Sequence, residues 1–252
     1  MTASFGHLIP TSLIESVPDL HALNIHPSLL PKYRGAAPIQ WAIANGDTAT
    51  GVTLQELSKN LFDRGRILHR TTLPMPRKPV FDDLQIKLAH VGASLLFSTL
   101  QDFEAFKAKA YHQDGIVTKA PKVSKEDGRI DWKSSDAEQL GRWHRGFSHQ
   151  VRKRSYIYRA LVNCLCLQVP FWTMYEGHRV QLLKLKPSSY TKLKPGQANL
   201  IQQDLVIGCN TGSLSVQELK TEGRKGMRPI DWWNGSTKGS KKPILFENIV
   251  PT

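Results

Sequence analysis

The hydrophobic pattern changes period part-way along the chain, and no single-class fold accommodates both halves. Up to about residue 107, strand-like and helix-like stretches alternate. Met1–Phe5 reads as a short strand, Thr11–Glu15 as a helical turn, Ala22–His26 as a strand and Ala37–Asn45 as a helix. That helix carries Pro38 near its first position and Gly46 just past its end. Gly51–Leu57 is a further strand. A long helix from Asp82 to about Lys107 has acidic residues in its first turn and Leu84, Leu88, Val91 and Leu95 on one stripe. Alternation of this kind predicts an α/β domain with a doubly wound parallel sheet, assigned here to residues 1–107. After a polar linker, 108–122, short strands follow one another: Tyr156–Gln168, Phe171–Tyr175, Arg179–Leu185, Leu205–Cys209 and Leu214–Leu219. Glu176-Gly177 and Thr211-Gly212 are turns between them. Ser135 with Glu138 predicts a capping box for a preceding helix that carries Leu140, Trp143 and Phe147. Residues 123–252 are therefore expected to form a small OB-like β-barrel.

The strand at 22–26 is unusual in its polar face. Asn24 and His26, two residues apart, point one way, while Leu23 and Ile25 point the other. Pro27 has no N–H for a ladder and ends the strand. Polar groups at the carboxyl end of a strand stand where open α/β sheets take ligands.

Charge follows the same division. Residues 1–106 hold nine Lys/Arg and nine Asp/Glu, so the whole formal charge of +13 falls on residues 107–252. A neutral front and a basic back predict a second half that faces a polyanion. No run of apolar residues reaches the length of a membrane span, so no membrane partner is expected. Three cysteines, Cys164, Cys166 and Cys209, lack zinc spacing and read as reduced buried thiols. The nine histidines form no HExxH, so no metal is expected. No GxGxxG or Gly-Lys-Ser/Thr motif appears, which argues against nicotinamide dinucleotides and ATP.

Asn24, His26 and Asp63 together suit transfer of an acyl-type group to an amine. An amide donates to an oxygen that becomes negative. The imidazole can shuttle the amine proton, or stabilise that oxygen when protonated. The carboxylate either raises the histidine's pKa or accepts a proton through water. Gly65 permits a tight turn after Asp63.

Asn24-Ile25-His26-Pro27-Ser28-Leu29-Leu30-Pro31, with Arg34-Gly35-Ala36-Ala37-Pro38-Ile39, resembles the signature of the 10-formyltetrahydrofolate-dependent formyltransferases. Gly46-Asp47, Thr50-Gly51-Val52-Thr53 and Phe62-Asp63-Arg64-Gly65 continue it in order. The resemblance implies that Asn24, His26 and Asp63 are catalytic and that Ser28, Leu29, Leu30 and Pro31 line the folate site. Residues 122–132, Lys122 to Trp132, and Gly223-Arg224-Lys225-Gly226-Met227 resemble the carboxy-terminal domain of the methionyl-tRNA formyltransferase branch. That branch implies 10-formyltetrahydrofolate as co-substrate, initiator methionyl-tRNA as partner, a monomer, and a role in translation initiation. The divergence of the second half suggests an organellar version, in the mitochondrial matrix.

Two departures stand out. The family's Asp-Thr-Gly is Asp63-Arg64-Gly65 here. The family's first domain opens with about three more strands and their helices, so the chain is expected to be truncated at its start. Arg152-Lys153-Arg154, Arg224 and Lys225 are candidate phosphate contacts. Trp232 and Trp233 suit a covering helix better than base stacking, and Asp19 and Asp47 suit caps or turns. A catalytically silent RNA-binding remnant and a formyltransferase acting on a small amine are the rival expectations.

Overall fold

The computed structural model describes residues 1–3, 9–19, 21–59, 61–148, 171–237 and 242–247. The described residues divide into two compact units, the first running to Lys122 and the second beginning at Val123. The strand expected over 156–168, the 152–154 basic triplet, Cys164 and Cys166 lie outside the described residues.

The first unit contains β1 (Thr2–Ala3), α1 (Thr11–Glu15), β2 (Leu23–His26), α2 (Pro38–Asn45), β3 (Ala49–Glu56), β4 (Ile67–Pro74), α3 (Phe81–Gln101) and α4 (Phe103–Ala108). Its sheet runs β1-β2-β3-β4. The expected wholly parallel sheet is corrected here: β1 and β2 are parallel, but β2–β3 and β3–β4 are antiparallel. Apolar periodicity identifies a strand and its faces but not its direction. The strand β4 was not expected, because polar residues, including His69 and Arg70, break up its apolar pattern.

Antiparallel register sets the chemistry of each face. Leu23, Val52 and Leu54 share a core with Leu84, Leu88 and Leu95 of α3, and Ile25 packs against it. Burying a side chain such as Leu88 contributes about 1.5–3 kcal/mol. On the opposite face His26 pairs with Thr53, and Asn24 with Gln55. Helix α2 starts on Pro38 at its first turn and stops at Gly46, whose left-handed φ of 73° costs no Cβ strain. The expected single helix from 82 to 107 is broken at Asp102 (φ −136°), giving α3 and α4.

The 108–122 stretch, expected as a linker, is hydrogen-bonded to the first unit at several points. Tyr111 exchanges backbone bonds with Ile67, Arg34 N donates to Thr118 O, and Ala120 N donates to Arg34 O. Trp41 Nε1 also donates to Pro121 O at 2.8 Å.

The second unit holds α5 (Ala137–Phe147), β5 (Phe171–Tyr175), β6 (His178–Ser188), β7 (Gln197–Ile201), β8 (Asp204–Gly208), β9 (Ser213–Thr221), α6 (Pro229–Thr237) and β10 (Ile244–Leu245). Its antiparallel sheet is ordered β10-β7-β8-β9-β6-β5, and a Met174–Glu247 bridge links β5 to the residues after β10. Sequence reading missed β7, a five-residue strand that begins with two polar positions in three. The cap of α5 is Asp136, whose carboxylate accepts from Gln139 N at 3.0 Å, rather than the expected Ser135. Ser135 N instead donates to Asp131 O at 2.9 Å. Trp232 and Trp233 are buried in α6, with Trp232 stacked on Phe246. Cys209 is buried, and burial, helped by Asp136, pushes its thiol up to about 12. Among the described residues no helix is long and apolar enough to cross a membrane.

Candidate active site

Asn24 and His26 project from the polar face of β2, and the loop between β3 and β4 carries Asp63 to them. His26 Nδ1 lies 3.3 Å from Asp63 Oδ1, with the two side chains 5% and 9% exposed. Asn24 Nδ2 lies 3.4 Å from the same oxygen. Gln55 Nε2 donates to it at 2.8 Å, and Gly35 N donates to Oδ2 at 2.9 Å. Asp63 itself has φ of 55°, the left-handed region that Asp tolerates better than most residues. The three residues expected from the sequence are therefore brought together.

The imidazole is held from its far side by the main chain. His26 Nε2 is 2.9 Å from Tyr33 O, and since a carbonyl only accepts, Nε2 carries the proton. Tyr33 turns that carbonyl inward from a left-handed conformation, φ 62°. Its own N–H donates to Thr118 Oγ1 at 2.8 Å, and its hydroxyl accepts from Asn45 Nδ2 at 3.1 Å. Burial lowers the His26 pKa below the ordinary histidine value, opposed by the Asp63 charge and the Tyr33 carbonyl. A neutral ring protonated at Nε2 leaves Nδ1 bare beside a carboxylate. The pair is then a seat for one incoming proton.

Asn24 is oriented from the first strand. Thr2 Oγ1 donates to Asn24 Oδ1 at 3.0 Å, which turns the amide nitrogen toward Asp63. At 3.4 Å the Asn24–Asp63 contact is long, so the amide can exchange it for a stronger acceptor.

The four residues expected at the folate site serve mostly as structure. Ser28 Oγ donates to Lys32 O at 2.6 Å, and Ser28 O accepts from Thr53 Oγ1 at 2.7 Å. Leu30 is fully buried, its N–H donating to Thr53 Oγ1 and its carbonyl accepting from Arg70 Nη1. Pro31 is buried after a cis bond, and Leu29 is half-buried. Leu29 is thus the one of the four that retains surface. A cavity of about 380 Å³ elsewhere, lined by residues such as Ile14, Val17, Glu56 and Lys59, contains none of these residues.

Sequence reading missed Gln55, Gln113 and Tyr33. Gln55 left a faint signal, since Thr53 and Gln55 alternate with Val52 and Leu54 in an otherwise buried strand. Gln113 left none.

Comparison with known proteins places the chain. Residues 1–100 match the family model described as "Formyl transferase", and residues 122–237 match "Formyl transferase, C-terminal domain". A "Methionyl-tRNA formyltransferase" of Acidobacterium capsulatum is 34% identical over 240 residues, covering 94% of this chain and 70% of that protein. One from Geobacter metallireducens is 32% identical over 237 residues, 93% of this chain and 69% of its own length. The chain belongs to the methionyl-tRNA formyltransferase family. Among solved structures, HypX from Aquifex aeolicus in complex with tetrahydrofolic acid aligns with a TM-score of 0.59 at 21% identity. That alignment covers 87% of this chain and 36% of HypX, a likeness of fold. Family membership makes this chain a formyltransferase, and the α/β unit and the curled antiparallel unit correspond to the two matched domains. Among the described residues no three His, Cys, Asp or Glu side chains are grouped to hold a metal ion.

Proposed function

We propose that the chain transfers a formyl group from 10-formyltetrahydrofolate to the α-amino group of initiator methionyl-tRNA, in translation initiation. The observation that carries this reading is the convergence of Asn24 Nδ2 and His26 Nδ1 on one carboxylate oxygen of Asp63. The donor supplies the formyl carbon. When the amine attacks that carbon, the formyl oxygen gains negative charge and the Asn24 amide donates to it. Removing one such donor typically costs about 10²- to 10³-fold in rate. The bond from the formyl carbon to N10 of the folate then breaks, and tetrahydrofolate leaves with a proton on N10 that balances the one the amine loses. The amine's proton passes first to the Asp63 carboxylate. His26 shares it through Nδ1, the ring atom not already engaged by Tyr33.

Ser28 to Pro31 are proposed as the wall against the folate, with Leu29 in contact. The second unit, an OB-like barrel on this reading, is proposed to bind tRNA, residues 123–252 forming that domain, while 108–122 go with the catalytic residues 1–107 to which they are hydrogen-bonded. The excess of positive charge beyond residue 107 supports it, and Arg224 and Lys225 are exposed on a turn after β9. We extend the proposal to the mitochondrial matrix, on the divergence of the second half from the family pattern, and to a monomer. Cell fractionation and sedimentation test those two points.

The direct test is incubation of the chain with 10-formyltetrahydrofolate and charged initiator tRNA, followed by detection of formyl-methionine. Turnover supports the proposal. Binding of tRNA without turnover supports an RNA-binding remnant instead. Affinity for tRNA that barely changes with salt would point to a small amine as acceptor, because each phosphate contact adds to the salt slope.

A further inference from the structure

The loop that presents Asp63 has little apolar anchoring: its neighbours Leu61 and Phe62 are about half exposed. Polar contacts hold it instead, and one distant side chain makes several of them. Gln113 Nε2 lies 3.0 Å from Asp63 O, 2.9 Å from Gly65 O and 3.1 Å from Gln55 Oε1. Gln113 Oε1 accepts from both Arg34 Nε and Arg34 Nη2, at 3.0 and 2.7 Å. Arg34 precedes Gly35, whose N–H donates to Asp63 Oδ2. One amide thus ties the 34–35 turn to the 63–65 loop.

The direction of every bond in this chain is determined. Arg34 has only donors, so the Gln113 oxygen must face it and the Gln113 nitrogen must face away. Gln55 then has to present its own oxygen to Gln113, which turns its nitrogen to Asp63 Oδ1. An ionised carboxylate has only acceptors, and the series Arg34, Gln113, Gln55, Asp63 ends there with no conflict. Without Gln113 the Gln55 oxygen and the Asp63 and Gly65 carbonyls lose the donor they share, and only the Asp63 carboxylate is left to orient the Gln55 amide.

We propose that Gln113 is a positioning residue of the formyl-transfer site, which fixes the Gln55 amide and seats Asp63 against His26. The proposal rests on the functional reading above and places a determinant of the site in a stretch whose sequence reads as a linker. The titratable and charged groups that face this carboxylate are His26 and Arg34, with Arg64 beside Arg34, and Gln113 acts by geometry among them.

Two substitutions in the full chain separate positioning from space-filling. Gln113→Met keeps volume and removes every polar contact. Gln113→Glu keeps the Arg34 contacts and removes the donors to Gln55, Asp63 and Gly65. Both are expected to lower kcat by about 10- to 100-fold with KM for either substrate little changed, the scale of a misplaced catalytic group. The second readout is the His26 ring titration followed by nitrogen-15 NMR, which is independent of turnover. It is expected to shift downward in both variants as the carboxylate moves off Nδ1. A Gln113→Glu protein whose His26 titration and kcat both match the parent overturns the proposal. If the parent itself shows no turnover, the functional reading fails while the titration still decides the role of Gln113.

Discussion

Replacing Asp63 by Asn tests the site at its centre. The carboxylate accepts from Gln55 Nε2 and Gly35 N at 2.8 and 2.9 Å, and it faces Asn24 Nδ2 and His26 Nδ1 at 3.4 and 3.3 Å. An amide of the same shape must put its NH2 at one of the two oxygen positions. At the Oδ1 position it opposes the Gln55 donor, and at the Oδ2 position it opposes the Gly35 N–H. Either choice strands one buried donor, at roughly 1–3 kcal/mol of stability. Activity is expected to fall further, by about 10²- to 10⁴-fold, because the proton acceptor is gone. That is about 3–5 kcal/mol of barrier at 1.36 kcal/mol per tenfold change. Urea denaturation gives the first quantity and single-turnover formyl transfer the second. His26 should also titrate lower in the variant, since the charge that opposes its desolvation is absent. A variant that loses the expected stability yet retains kcat within about threefold of the parent would show that this carboxylate only braces the loop and takes no proton.

Thr2→Val removes the hydroxyl that orients Asn24, a bond of about 0.5–1.5 kcal/mol, so a rate loss of roughly two- to tenfold is expected. Thr2→Ser should restore the rate. Gly65→Ala drives a Cβ into the Glu56 carbonyl, and a loss of about 3 kcal/mol in chemical denaturation is expected. His26, His69 and His144 all have pKa values lowered chiefly by burial. The unfolded chain takes protons near the ordinary value of 6.5, which the folded state resists. These groups therefore leave stability unchanged above that pH and reduce it as pH falls below it. Unfolding free energies measured down the acid side should show this loss, with a shallower slope in His144→Phe.

Much of the architecture was legible in the amino-acid order. The Ala22–His26 alternation gave β2 and its two faces, and Pro38 and Gly46 bracketed α2 to within a residue. Strand direction was not legible, because two antiparallel neighbours have the same period as two parallel ones. The strand β4 escaped for a related reason: after Ile67 and Leu68 it alternates half-buried with exposed positions, most of them polar, rather than running apolar. In the site, Asn24, His26 and Asp63 could be named from chemistry and from the family pattern. Gln55 and Gln113 could not, since an uncharged amide acquires its role from what folding brings within 3 Å. Gly35 and Tyr33 act through backbone atoms, which every residue possesses and no composition distinguishes.

The left-handed turn at Tyr33 has a wider consequence. The oxygen that chooses the tautomer of His26 is not encoded by any side chain, so no exchange of one residue deletes it. Damage at this point can come only through the shape of the turn, from neighbours such as Thr118 that grip the peptide. Replacements that accept a positive φ, asparagine or glycine, ought to leave the imidazole protonated on the same nitrogen. The chemistry there is insured by the path of the polymer and exposed to changes far from it in sequence.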